Sequence, residues 1–203
     1  MLKKIVIILA AAMFFAAAAA NLSAQSVLMN SAETINQGNL KLGIFPTVLI
    51  GKNGGDSVWG VAGRFGYGLT RSIDIEAKAG FFKGIKYYGV DIEFWLLKGQ
   101  DINASATVGG HLIDYSGGGN SSGIDTSLLV STTPARNLEI YGGLMLAFES
   151  VKNSDSNYTR VHLVPGIEYR LNADLDFLAE FGIGLNSNSS NYASVGLAFY
   201  FLR

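Results

Sequence analysis

The residues that could perform acid–base chemistry are two histidines and two acids near the same ends of predicted strands. His111 and His162 are the only histidines of the chain, and Asp114 and Glu149 lie at or near the outer half of neighbouring predicted strands. A carboxylate that positions an imidazole can form a general-base pair. The connecting loops, however, are too short to shape a substrate cleft. We therefore predict that the protein is not an enzyme.

Other signals for ligand chemistry are weak. The chain has no cysteine, so neither a thiolate nucleophile nor a disulfide is available. Its histidines and acids do not cluster as metal ligands do. The stretch YSGGGNSSG lacks the lysine and the following helix of a phosphate-binding loop. With a formal net charge of −1 and no basic footprint, the sequence predicts no cofactor, no metal and no nucleic-acid partner.

The first 24 residues have the composition of a secretory signal peptide. Lys3 and Lys4 precede an uninterrupted apolar run over residues 5–20, which is short for a membrane-spanning helix, and small and polar residues follow. We expect cleavage after Ala24, with Ala20 as the alternative. Residues 25–37 are expected to form a short periplasmic segment, either a tail or a partial plug. Residues 38–203 then make one domain.

From residue 38 onward, apolar and polar residues alternate with a period of two, which predicts an all-β domain. Most of the predicted strands have nine to fourteen residues, which exceeds the usual length in soluble proteins and suits tilted strands that cross a bilayer. The predicted strands cover residues 40–50, 58–69, 73–82, 86–97, 101–114, 124–133, 138–149, 158–171, 174–186 and 192–202.

The connections between these strands alternate between two kinds. Short turns precede similar patterns, in LTRSIDIEA, KGQDINASA, TPARNLEIYGG and LNADLDFLAE, and longer connections are rich in Gly, Asn, Ser and Asp. The repeating unit is therefore a β-hairpin. Because an open sheet would leave unpaired edges, we predict a closed antiparallel up-and-down transmembrane β-barrel of about ten strands, within a range of about eight to twelve.

The chain resembles small Gram-negative outer-membrane β-barrel proteins, the broad superfamily of porin-like and OmpA-like barrels. The signal peptide carries this resemblance together with GRFGYGLTRSIDIEAKAGFF at 63–82, YRLNADLDFLAEFGIGLN at 169–186 and ASVGLAFYF at 193–201. It implies residence in the cell outer membrane, contact with outer-membrane lipid, and insertion by the barrel-assembly machinery. That machinery recognises an aromatic-ended terminal strand, which assigns the assembly signal to Val195, Leu197, Phe199 and Phe201.

Each predicted strand has one uncharged apolar face and one polar face. In a membrane barrel the apolar faces meet lipid and the polar faces line the lumen. Asp125 lies on the polar face. The predicted lumen-facing polar network comprises Arg64, Asp74, Glu76, Lys78, Asp91, Glu93, His111, Glu139, Glu149, Arg160, His162, Glu168, Arg170, Asp176 and Glu180.

This network has two interpretations. It is either a set of satisfied ion pairs and hydrogen bonds that supports the wall, or the lining of a narrow water-filled path whose acidic excess favours cations. The predicted role is accordingly structural, adhesive or narrow-pore. The alternative is a secreted or periplasmic lipocalin-like barrel that binds an apolar small molecule, with its apolar rows inside. A remote alternative is a barrel hydrolase or acyltransferase, similar to the omptins or the lipid A acyltransferases.

Aromatic residues near the predicted strand ends are expected to form two interfacial girdles. One girdle would contain Phe81, Phe82, Tyr87, Tyr88, Tyr115, Phe148 and Tyr158, and the other Tyr67, Phe94, Trp95, Tyr169, Phe177 and Tyr200.

Overall fold

The computed structural model describes residues 29–51, 55–99, 101–117, 119–152 and 157–201. The predicted signal peptide lies outside the described residues. The strands are β1 Leu40–Ile50, β2 Val58–Gly68, β3 Ile73–Phe82, β4 Ile85–Lys98, β5 Ile102–Tyr115, β6 Asn120–Ala135, β7 Leu138–Val151, β8 Asn157–Asn172, β9 Leu175–Gly184 and β10 Asn191–Phe201. None of the described residues belongs to a helix long and apolar enough to cross a membrane.

The strands form a closed antiparallel barrel in which each strand pairs with its neighbours in the chain. Closure comes from β1 and β10, whose register runs from Leu40 opposite Phe201 to Ile50 opposite Asn191. The predicted up-and-down barrel of ten strands is therefore confirmed. β6 begins four residues before its predicted start, because the polar residues from Asn120 onward still pair with β5. These first residues show no alternation of apolar and polar side chains, so the sequence did not mark them as a strand.

The barrel has two different ends. At the turn end lie the short connections β2–β3, β4–β5, β6–β7 and β8–β9, together with the start of β1 and the end of β10. The loop end carries the other connections, of which the β9–β10 loop, residues 185–190, is described in full. The β3–β4 connection at the loop end is tight, and Gly84 has a φ of 79° there, a conformation that glycine adopts without a side-chain clash.

The outer wall is apolar over its whole circumference. In the segment DLDFLAEFGIGLN, for example, Phe177 and Ile183 lie on the outer row, whereas Asp176 and Glu180 are buried inside. Trp59, at 71%, has the largest exposed fraction among the large apolar side chains of this surface. A lipocalin-like barrel would carry its apolar rows inside, so that alternative is not favoured.

Two prolines interrupt the strand pairing on either side of the β9–β10 hairpin. β1 does not pair with β10 at Phe45 and Pro46, and β8 does not pair with β9 at Val164 and Pro165, within these described strands. Both prolines do pair on their other side, with β2 and β7. Because proline has no N–H, it cannot donate to a neighbouring strand. Pro46 lies in the middle of β1.

An arginine placed on the outer wall tests whether that wall meets hydrocarbon. Leu128 lies midway along β6 and Leu185 just beyond β9 at the loop end, and each is 53% exposed. In lipid vesicles we expect Leu128→Arg to lower the free energy of unfolding by about 2 to 4 kcal/mol, and Leu185→Arg by about 0 to 1 kcal/mol. Urea titration followed by tryptophan fluorescence measures both. Equal small losses would contradict a lipid-facing wall.

Candidate functional site in the barrel lumen

The polar faces of the strands converge in the lumen. All of the residues predicted for the lumen-facing network are buried except Arg170, and Asp125 is buried with them. Arg170 lies near the turn end of β8, where the pairing with β9 shifts register, and its side chain is 50% exposed. Its Nε lies 3.6 Å from Oδ1 of Asp176. Arg170 therefore belongs to the rim of the lumen.

A chain of ion pairs begins at the turn end on β1. Lys41 Nζ lies 3.1 Å from Oε1 of Glu76, and Arg64 Nη2 contacts the other oxygen of the same carboxylate. Arg64 also lies 3.8 Å from Asp91. Glu76 thus accepts two cations from β1 and β2, and all three side chains are at least nine-tenths buried.

The chain of ion pairs continues obliquely toward the loop end. Lys78 Nζ lies 2.6 Å from Asp91 Oδ2 and 3.5 Å from Asp125 Oδ2. His111 follows, with Nδ1 3.0 Å from Oδ1 of Asp125. The last contacts are made by Glu149, whose Oε1 lies 3.5 Å from Nε2 of His111 and pairs with Arg160 Nη1. Ion pairs and the contacts of His111 therefore connect β1 to β8 across the interior.

Tyrosines complete this network. The Tyr87 hydroxyl donates to Asp125 at 2.8 Å, and the Tyr87 ring stacks on His111 with centroids 5.5 Å apart. Tyr141 and Tyr192 both donate to Glu180, at 3.0 Å and 2.5 Å. These hydrogen bonds fix the carboxylates in place, because a buried carboxylate without partners is costly.

Residues 29–37, here called the N-terminal plug, lie inside the turn-end half of the barrel. The backbone N–H of Met29 donates to Oε2 of Glu180 at 2.6 Å, and that of Ile35 donates to Oδ2 of Asp74 at 2.7 Å. Met29 is fully buried, deep in the barrel. The plug therefore satisfies wall carboxylates with its own backbone amides.

Side chains of the plug add further contacts. Asn30 donates through Nδ2 to Glu93 and accepts through Oδ1 from Lys41 Nζ at 2.6 Å. Glu33 accepts from Asn103 Nδ2 at 3.1 Å. The plug is thus hydrogen-bonded to five strands, β1, β3, β4, β5 and β9, rather than to one side of the wall.

Two glycines of β2 make room for the plug. A Cβ on Gly66 would collide with the Ile35 side chain, and a Cβ on Gly68 would collide with the backbone of Asn36. The N–H of Gly38 donates to the carbonyl of Gly68 at 2.9 Å, and Gly38 has a φ of 84°. This left-handed residue turns the chain from the plug into β1.

The loop-end half of the lumen is filled by apolar side chains and by the β9–β10 loop. Phe45, Leu49, Ile85, Ile113 and Tyr192 form a buried cluster with Met29 of the plug. The β9–β10 loop folds onto β8, where His162 Nε2 lies 2.9 Å from the carbonyl of Ser190 and Arg160 Nε donates to the carbonyl of Asn188 at 3.2 Å.

Small cavities lie between the described residues of the lumen and at its turn end. One, of about 10 Å³, lies beside Met29, Phe45 and Tyr87, and a cavity of this size holds at most about one water molecule. Another, of about 70 Å³, lies at the turn end among Glu33, Glu139, Glu168 and the β6–β7 turn. The described part of the lumen is therefore packed with side chains and does not form an open pore.

The acids and histidines considered for catalysis converge only in part. His111 approaches Glu149, but both side chains are about 1% exposed and Glu149 is already paired with Arg160. Asp114 lies on the outer face of β5, and His162 Nε2 lies against the carbonyl of Ser190. Among the described residues, no group of three or more acids, histidines or cysteines is arranged to hold a metal ion.

The assignment of the aromatic girdles is wrong for Tyr87. Its side chain is 4% exposed and lies in the buried cluster, and Phe82, Tyr115 and Tyr200 also pack against that cluster. Neighbouring residues on a strand point to opposite faces. Phe81 and Tyr88 therefore lie on the outer surface at the same rim, with their rings in edge-to-face contact 5.9 Å apart.

Sequence reasoning also missed several residues of the lumen. Lys41 was missed because Gly43 and Pro46 obscure the alternation of β1. The plug sequence MNSAETINQ gives no periodic signal at all. Val195, Leu197, Phe199 and Phe201, the predicted assembly signal, share the outer face of β10, and their recognition by an assembly machinery stays a prediction.

Known structures share this architecture. An outer-membrane channel from Pseudomonas putida F1 is similar with a TM-score of 0.59 at 8% identity, over 87% of this chain and 100% of that chain. The outer-membrane protease OmpT from Escherichia coli is similar with a TM-score of 0.50 at 11% identity, over 84% of this chain and 100% of that chain. No family model and no curated protein sequence matches the chain. The chain therefore has the fold of outer-membrane β-barrels.

Removing one carboxylate from the ion-pair chain should destabilise the barrel. Glu76→Gln leaves Lys41 and Arg64 buried without their shared counter-charge, and breaking a buried pair costs about 3 to 5 kcal/mol. Arg170→Gln, at the half-exposed rim pair, should cost at most about 1 kcal/mol. Urea midpoints of the folded barrel compare the two. A Glu76→Gln variant as stable as Arg170→Gln would show that the network does not support the wall.

Proposed function

We propose that the protein is an integral outer-membrane barrel with a structural role, whose lumen is closed at rest by the N-terminal plug. The observation that carries this proposal is the burial of the plug, with the amides of Met29 and Ile35 bonded to Glu180 and Asp74. Secretion through a cleaved signal peptide, residence in a Gram-negative outer membrane and insertion by the assembly machinery belong to the same proposal.

The outer wall supports a membrane location. Leu112, Ile124 and Phe148 are among the large apolar side chains that stay at least half exposed. In water such a continuous surface would drive aggregation, whereas in a bilayer it matches the hydrocarbon. Closure of the barrel also satisfies the backbone groups, which lipid cannot do.

The packed lumen favours a structural role over an open pore. Ions would have to pass the plug, the ion-pair chain and the apolar cluster around Phe45 and Tyr192 in turn. The second candidate function, a narrow cation-preferring path, is favoured by the carboxylates that the plug covers. Displacement of the plug would expose Asp74, Glu93 and Glu180 to water, and a ring of acids selects cations.

An enzymatic role is not part of the proposal. OmpT shares the fold, but function depends on the site and not on the fold. His111 lies between Asp125 and Glu149 with 5% of its surface exposed. A substrate could reach it only after the lumen had been emptied.

Recordings in planar bilayers test the plug. We expect no conductance steps from the intact barrel, and small cation-selective steps after deletion of residues 29–37. Gly66→Leu should give an intermediate result, because its side chain competes with Ile35 for the same space. Gly63→Leu is the matched control, since a Cβ on Gly63 meets nothing closer than 3.8 Å.

Heat-modifiable migration on SDS gels establishes that each variant is folded before it is recorded. Steady conductance of the intact barrel, equal to that of the deletion variant, would contradict a closed lumen.

A further inference from the structure

Charge is distributed unevenly around the turn end of the lumen. The chain of ion pairs runs from β1 to β8 and leaves out the turn-end acids of β7, β8 and β9, which are Glu139, Glu168 and Asp176. Arg170, 3.6 Å from Asp176, is the only described cation within ion-pair distance of these three. Negative charge on these three acids is therefore balanced at ion-pair distance only by Arg170 among the described residues.

Glu139 and Glu168 concentrate that charge. They lie directly opposite each other in the β7–β8 ladder, and their side chains are 7% and 8% exposed. Like charges that face each other across a strand pair are destabilising. Oε1 of Glu139 is buried and has no hydrogen-bond partner among the described residues. The Ser131 and Ser31 hydroxyls lie near this carboxyl group, and Oε1 keeps the capacity to accept a further donor.

The cavity of about 70 Å³ lies against this pair of acids. Glu33 of the plug forms one wall, and the β6–β7 turn with Arg136 forms another. Arg170 also lines the cavity. Acids therefore line its buried part, whereas Arg136 and Arg170 are exposed residues at its mouth.

The mixed lining restricts the chemistry of the occupant. A divalent metal ion fits poorly, because no three acidic or histidine side chains among the described residues are arranged as metal ligands. A polyamine would bring a second ammonium group to the arginines and be repelled. A molecule with one ammonium and one carboxylate group matches both parts, since guanidinium binds carboxylate in a bidentate geometry.

We propose that this cavity binds a compact zwitterion of the amino-acid type. Its ammonium group donates to Glu139 and Glu168, and its carboxylate faces Arg136 and Arg170. The volume of about 70 Å³ limits the ligand to molecules of the size of glycine or β-alanine. The site rests on the proposed function in one respect, because Glu33 belongs to the plug that closes the lumen.

Titration calorimetry on the purified full-length barrel in detergent micelles tests the proposal. The probes are glycine and β-alanine, with ethylammonium chloride, sodium acetate and magnesium chloride as comparisons. We expect binding of a zwitterion, and an affinity about tenfold lower in Glu139→Gln and in Glu168→Gln, as the loss of one charged hydrogen bond implies. Asp101→Asn, an exposed acid at the turn end outside the cavity, is the matched control and should bind as the intact protein does.

Arg136→Gln tests the recognition of the ligand's carboxylate group separately from that of its ammonium group. It should weaken β-alanine severalfold and leave ethylammonium unchanged. Absence of any zwitterion binding to a barrel that migrates as folded would overturn the proposal. It would also be overturned if ethylammonium or magnesium bound more tightly than β-alanine. The conductance of the intact barrel is measured separately, so a conducting barrel that still binds β-alanine would refute the closed lumen and leave this site standing.

Discussion

The structure depends on the pairing of backbone amides around a complete circle. In hydrocarbon each unpaired N–H or C=O costs several kcal/mol, so the sheet has to close, and β1 pairs with β10. Closure with a two-residue side-chain period then divides every strand into an outer and an inner row. The outer row is apolar along the middle of the wall, with exposed charges such as Lys86 and Asp114 near the loop end, and most other charged groups share the lumen.

That shared volume is organised by two kinds of donor. Around Glu76, Asp91 and Asp125 the donors are cations of the wall itself. Around Asp74 and Glu180 they are backbone amides of the plug. The plug is thus held by the excess of acids over bases in the lumen, and the acids are kept satisfied by the plug. The turn-end sector of β7–β9 has fewer donors, and the pair of Arg170 with Asp176 is its one ion pair among the described residues.

The barrel itself was predictable because apolar and polar residues alternate along its strands with a period of two. Strand ends, strand order and the inward direction of residues such as Arg64 and Glu168 follow from alternation and turn spacing. The sequence left a tail and a partial plug both open for residues 25–37, because MNSAETINQ has no period and its place is set by partners far along the chain, such as Glu180. Tyr87 was misplaced because its position near a strand end indicates a girdle, whereas its parity along β4 directs it inward. Contacts such as that of His111 with Glu149 depend on the register between strands, which cannot be deduced from a single sequence.

Cysteine labelling tests the central claim most directly, because the chain contains no cysteine of its own. Ala32 of the plug is fully buried, whereas Ser57 before β2 is exposed. In the folded barrel a water-soluble maleimide should modify Ser57→Cys rapidly and leave Ala32→Cys unmodified until the barrel is unfolded. Modification of Ala32→Cys at the rate of Ser57→Cys in the folded barrel would contradict a lumen closed by residues 29–37.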